Sequence, residues 1–258
     1  MITVLFRVRS IRRAFFFTVA MIVCAFGAHR PSHGQANDDA AVAESLSTFL
    51  QTARTIVSRH QTEINNPDVG DKGLTGAKVL AETMSAYKNT TGVDPSSIDP
   101  STRQGRLLRA QMDSIVEVVD ANQQTINKKG LGFKAFIPAT FGRLVNEAFG
   151  RRAGQEADVK ITAPSDLIRN RKARADPWEQ KVITEKFLLA SWPKGKDFSA
   201  ITESNGRPAF RMAVPEYYDA SCLTCHGAPK GDIDVTGYPK EGGSEGDLGG
   251  VTSISLYR

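Results

Sequence analysis

The chain has 258 residues, 40% of them apolar and 24% charged, a composition that excludes a disordered or fibrous protein. Its net charge of +5 belongs to a leader. Arg7, Arg9, Arg12, Arg13 and Arg30 lie within the first 36 residues, which hold no Asp or Glu, and setting those five aside from 33 basic residues leaves 28 against 28 acidic ones. A neutral body excludes a nucleic-acid surface built on net charge.

Arg7 to Arg13 form a positive n-region, followed by an apolar run of 14 residues from Ala14 to Gly27. A membrane span needs about 20 apolar residues, so the run reads as a signal peptide rather than an anchor. The small residues Gly34 and Ala36 predict cleavage after Ala36 and export to the periplasm. Cys24 follows Val23 instead of Gly or Ala, which argues against a lipoprotein. Arg12-Arg13-Ala14-Phe15 resembles a twin-arginine signal, but ordinary Sec export is the expectation. The mature chain, residues 37–258, is large enough to fold as one domain. No later segment is apolar for the ~18 residues that a second span requires.

Along the mature chain the first half reads as helical. Leu46, Phe49, Leu50, Ala53, Ile56 and Val57 recur at three- and four-residue spacing and predict a helix over 40–64. Val79, Leu80, Met84 and Tyr87 predict a second over 77–88. Leu107, Leu108, Met112, Ile115, Val116 and Val119 predict a third, over 102–127. A short aromatic segment around Phe136-Ile137-Pro138 precedes a helix over 139–152, and Val159 and Ile161 alternate like a strand.

The second half changes texture. Asp176-Pro177-Trp178-Glu179 carries an N-cap, a first-turn proline and a capping-box glutamate, predicting a helix that runs to about Ala190. Asn205-Gly206 between apolar runs predicts a hairpin joining 201–204 to 207–214. Gly-rich turns fill 227–250, and the β-branched stretch 251–257 predicts a final strand. Helices first and antiparallel strands later make an α+β protein.

Chemistry concentrates at Cys222-Leu223-Thr224-Cys225-His226, the CxxCH signature of covalent c-type haem. Two thiols three positions apart on one helical turn reach the two vinyl groups of one haem, and the adjacent imidazole is thereby delivered to the iron. A zinc site would need two more ligands, and only His60 remains among the mature Cys and His residues. A thioredoxin-like CxxC would sit near a βαβ unit, which the pattern does not show. No Met, His or Cys follows His226, unlike a small cytochrome c, and the tail ends as a strand, unlike a cytochrome c′.

With these residues the chain resembles a family of exported single-haem proteins with a PAS-like domain, long known as a domain of unknown function and also found as the input module of sensor histidine kinases. The resemblance is carried by Arg169-Asn170-Arg171-Lys172, Pro177-Trp178-Glu179, Phe210-Arg211-Met212 with Pro215, and Cys222 to Gly227. Thr236-Gly237-Tyr238, Gly246-Asp247-Leu248, Gly250 and Ser253 complete it. It implies a PAS-like antiparallel sheet with flanking helices, preceded by N-terminal helices, and one covalent haem beside the sheet with His226 on the iron. Some relatives add an upstream Cys as second axial ligand. Here that stretch is Phe136-Ile137-Pro138, and no third mature Cys exists.

The far side of the iron is thus expected to be open, or weakly held by water or Met212, with Phe136 or a neighbour over it. His60, Met84 and Met112 are the other candidates, read first as a solvated helix histidine and two core methionines. Arg169 and Arg171 are candidates for pairing the haem propionates, since arginine suits bidentate carboxylate binding. Tyr217 and Tyr218 are expected near the attachment turn, and Trp178 as a helix-docking anchor. The expected function is a periplasmic redox or diatomic-ligand sensing module, working with a redox or signalling partner protein because the chain carries no output domain. A small electron-transfer haem protein is the alternative. An enzyme such as a peroxidase finds no assignable distal acid–base pair.

Overall fold

The computed structural model describes residues 1–2 and 33–258. Residues 3–32, which carry most of the expected leader, lie outside the described residues. The expected cleavage point after Ala36 falls in the opening turn of the first helix.

The order of elements is α1 (His33–Arg59), α2 (Gln61–Ile64), α3 (Gly76–Thr91), α4 (Arg103–Ala121), α5 (Gln123–Ile126), α6 (Pro138–Ala153), β1 (Ala157–Thr162), α7 (Pro177–Val182), β2 (Phe198–Ser204), β3 (Arg207–Tyr217), α8 (Leu223–His226) and β4 (Leu248–Tyr257). This is an α+β fold. The whole apolar stripe of α1 from Leu46 to Val57 is buried, as a helix that must cover a core requires. Thr75 and Thr102 cap α3 and α4 by accepting from Lys78 N (3.2 Å) and Gly105 N (3.1 Å). The single helix expected over 102–127 is broken at Asn122, whose amide donates to the Val118 carbonyl at 2.7 Å and ends α4 there.

Helices α1, α3, α4 and α6 pack together and cover one face of the sheet. Gly76 lets α3 start hard against α4, since a Cβ there would stand 2.5 Å from the Val116 carbonyl oxygen. The sheet is antiparallel throughout, in the order β1-β4-β3-β2. Asn205 (φ 52) and Gly206 (φ 72) make the tight β2–β3 turn, both central residues lying in the region that a primed turn demands. Val159, Phe210, Met212, Ile254 and Leu256 face the helices. Glu216 anchors that face to α1 through Arg54 (2.6 Å) and also accepts from Thr252.

On the opposite face α7 docks through Val182 and Ile183 onto Ala213 and Val251. Its capping box forms as expected, with Asp176 accepting from Glu179 N (2.9 Å) and Glu179 from Asp176 N (2.8 Å). Trp178 does serve as an anchor: the Arg211 guanidinium lies 4.3 Å over its ring and pairs with Asp176 at 2.7 Å. The helix does not continue to Ala190. It passes at Ile183 into a π-helical turn ending at Phe187, closed by Leu188 N donating to Ile183 O at 3.0 Å. Ile183 and Phe187, at the two ends of this turn, both lie in the apolar cluster on this face.

One feature of the helical half is costly. Lys72 and Lys134 are both buried, and among the described residues their Nζ atoms donate only to backbone carbonyls: Val69 (2.6 Å) and Gly70 (3.3 Å) for Lys72, Ile64 (2.6 Å) and Asn66 (3.2 Å) for Lys134. Burial, followed by the charge of Lys72, pushes the Lys134 amine below its ordinary value. The unfolded chain therefore holds a proton that the folded chain releases, between that lowered value and about 10.4. Stability rises with pH across that window. We expect wild-type protein to gain stability relative to Lys134→Met as pH rises toward about 10.4, read as a narrowing or widening gap between their melting temperatures. Parallel profiles for the two proteins would show that Lys134 is not the group responsible.

Candidate functional site

Between β3 and β4 the chain leaves the sheet as one long loop, residues 218–247, and returns to it. Two backbone bonds pinch the loop at its base, Tyr218 N to Asp247 O (2.9 Å) and Gly246 N to Tyr218 O (2.8 Å). Just beyond, the Asp219 carboxylate gathers Ser221 N (2.8 Å), Ser221 Oγ (2.6 Å) and Cys222 N (3.2 Å). The Ser221 hydroxyl bond, foremost among these, holds its carboxyl below the usual range. These bonds order the turn that leads into α8, whose N-cap residue, Cys222, makes no side-chain cap bond of its own.

α8 is a single turn. Cys225 N and His226 N both donate to the Cys222 carbonyl, at 3.2 and 3.0 Å. Gly227 closes it with its amide on Leu223 O (2.9 Å), and a Cβ at Gly227 would stand 2.5 Å from that oxygen. The three chemical residues are therefore held on one turn, as their spacing implied. Cys222 and Cys225 are free thiols, partly exposed, and burial pushes both above their ordinary value. A dithiol redox pair works through a lowered thiol, so these two lack its characteristic activation.

His226 is fixed from two sides. Its Nδ1 lies 2.8 Å from Glu241 Oε2, and its ring stacks on Tyr218 at 5.1 Å with 17° between planes. An ionised carboxylate only accepts, so Nδ1 carries a proton, and in the neutral ring the lone pair falls on Nε2. Tyr218 is wedged between two glycines: a Cβ at Gly243 would stand 2.7 Å from its ring and one at Gly249 2.3 Å. Its hydroxyl is buried without a partner among the described residues. Burial and the Glu241 charge push that phenol up to about 12.

Arg169 locks the loop. Its Nε and Nη2 grip Glu241 (2.7 and 2.9 Å), Nη1 takes Asp234 (2.7 Å) and Thr236 Oγ1 (3.4 Å), and Nη2 reaches the Cys225 carbonyl (2.9 Å). Burial opposes ionisation of Asp234, yet bonds from Thr236, Arg169 and the Tyr238 amide hold its carboxyl far below the usual range. Burial likewise opposes charge on Glu241, and Arg169 and then His226 hold it down.

Three side chains expected at a haem are engaged elsewhere in this arrangement. The carboxylates paired by Arg169 are the protein's own, and five bonds to protein acceptors leave its guanidinium no free donor for a propionate. Met212 (1% exposed) and Phe136 (2% exposed, edge-on to Phe141 at 5.9 Å) lie in the core between helices and sheet. Both are enclosed by core packing, where a haem contact was expected of them. Arg171 is exposed, in the short turn Arg171–Ala173. His60 is bridged between Glu63 (2.9 Å) and Glu82 (2.8 Å). Tyr217, expected near the motif, instead accepts from Gly195 N at 3.1 Å.

Glu241, Asp234 and Asp219 were missed. Asp219 had a signal, an Asx residue just ahead of Ser221 and Cys222. Glu241 and Asp234 had none, because their partner lies 72 and 65 positions away.

Against Tyr218 and Glu241, the two side chains that hold His226, an open cleft of ≈ 360 Å³ is also lined by Leu167, Leu188 and Leu248 among others. Nearby, Ile233 (67% exposed) and Val235 (55%) flank Asp234 and present bare apolar surface.

Fold and loop together define an α+β protein whose antiparallel sheet suspends a single CxxCH turn in a clamped loop. The chain belongs to the Tll0287-like family, which matches residues 38–256 and is known as a domain of unknown function. Searches of curated proteins and of solved structures gave no match.

Proposed function

We propose that the chain carries one haem, bound through thioether bonds at Cys222 and Cys225 with His226 Nε2 on the iron, and works as a redox or diatomic-ligand sensing module. The observation that carries this reading is the state of His226. Its Nδ1 is bound to Glu241, its plane is fixed by Tyr218, and its remaining nitrogen is the one a metal needs. Two free thiols on the same turn and the bare apolar residues Ile233 and Val235 suit an apolar macrocycle.

When bound, the haem would supply one-electron and diatomic-ligand chemistry, tuned by axial ligand, hydrogen bonding and burial. The chain's own part is to hold. Cys222 and Cys225 tether, His226 ligates, Glu241 and Tyr218 set the imidazole's tautomer and rotation, and Arg169 fixes Glu241. Met212 is enclosed in the core and both nitrogens of His60 are taken by carboxylates. This supports an open sixth position and so favours ligand sensing over simple electron transfer. The four-stranded antiparallel sheet with helices on both faces supports a PAS-like frame. We place the protein in the periplasm after Sec export, where covalent haem attachment and a separate redox or signalling partner complete the reading.

Optical spectra of ferric, ferrous and CO-treated protein test it. Expected are covalent haem that survives acid–acetone extraction and a Soret band that shifts when CO is added to the ferrous form. A low-spin iron inert to CO would turn the reading to electron transfer, and haem that extracts completely would remove it.

A further inference from the structure

His226 differs from an imidazole that merely donates to a backbone carbonyl. Its Nδ1 proton faces a carboxylate oxygen, Glu241 Oε2, at 2.8 Å. That carboxylate is itself gripped at both oxygens by Arg169, 2.7 Å at Oε1 and 2.9 Å at Oε2, and Arg169 also holds Asp234. The side chain of Glu241 is only 13% exposed, so water screens its charge little.

We propose that Glu241 is a positioning residue that sets the iron's reduction potential by drawing the Nδ1 proton of His226 toward itself, while Arg169 limits how far the proton is drawn. The inference rests on the haem reading above and deepens it. A carboxylate on the outer nitrogen raises the basicity of the ligating one, and a more basic axial donor stabilises the ferric over the ferrous state. Arg169 spreads its charge over both oxygens, so the carboxylate keeps its orientation but donates less than a free one would. Tyr218, stacked at 5.1 Å, prevents the ring from turning away from Oε2. Asp234 supplies the contrast: it shares Arg169 but its carboxylate is bonded to Thr236 and Tyr238 rather than to the ligand.

The test uses holoprotein whose covalent haem has first been verified, so that absence of haem rejects the underlying reading and leaves this one distinguishable. Glu241→Gln keeps the shape and an acceptor but removes the charge. We expect it to favour the ferrous state on the order of tenfold, which is ~59 mV for a one-electron couple, and to move the 15N resonance of His226 Nδ1. Asp234→Asn should shift the potential less and leave that resonance in place. Equal shifts for both variants would mean that only the local field matters and would overturn the proposal, as would an unchanged potential in Glu241→Gln. Should the variant fail to fold, the wild-type holoprotein decides: an Nδ1 resonance typical of a carbonyl-bonded imidazole rejects the proposal, and one displaced toward imidazolate supports it.

Discussion

Arg169→Met is expected to cost about 3–5 kcal/mol, the usual penalty for removing one partner of a buried ion pair, and to release the loop 218–247 from the sheet. The side chain of Asp234 is fully buried and that of Glu241 nearly so, and methionine would leave both charges without their cation. The loss should be local. No other residue pairs with both carboxylates among the described residues, while the helical core and the sheet make no use of Arg169. Hydrogen exchange should therefore speed up at the amides of Cys225, His226, Gly231 and Gly243 and stay slow in β3 and β4. Arg171→Met, at an exposed position two residues away, should change stability by no more than about 0.5 kcal/mol. Equal effects at the two positions, or uniform loosening of the sheet, would contradict the clamp.

The second large effect concerns the thiols. The double variant Cys222→Ala, Cys225→Ala is expected to lose all haem on denaturing electrophoresis, where wild-type protein keeps it. Folding should survive, because neither thiol is part of either apolar core cluster and the turn is held by Asp219, Gly227 and backbone bonds. His226→Ala should retain covalent haem but shift its spectrum, since attachment and ligation use different atoms. A double variant that still runs with haem bound would place the attachment elsewhere.

Much of this molecule is written at short range. The stripes of α1 and α4, the capping box at Asp176, the Asn205-Gly206 turn and the CxxCH turn each depend on residues within about one or two turns of one another. Such patterns can be read wherever they occur, since their geometry is set by local backbone sterics and hydrogen bonds. The limits of local reading show at Asn122 and Ile183. At the first a side-chain amide competes for a helix carbonyl, and at the second the helix widens into a π turn that apolar spacing alone does not announce.

The sequence by itself determined the α+β class, the order of helices and strands, and the grouping of two thiols and an imidazole on one CxxCH turn. Tertiary structure alone decided what surrounds them. It closed Arg169 on Glu241 and Asp234, stacked Tyr218 on His226, buried Lys72 beside Lys134, and withdrew Met212 and Phe136 into the core. Each of these joins segments separated by turns whose course depends on the packing of the whole domain. A charge near a loop has many carboxylates within reach until the loop is closed. Desolvation then makes pairing obligatory, and the chosen partner is the one that the closed loop brings within bonding distance.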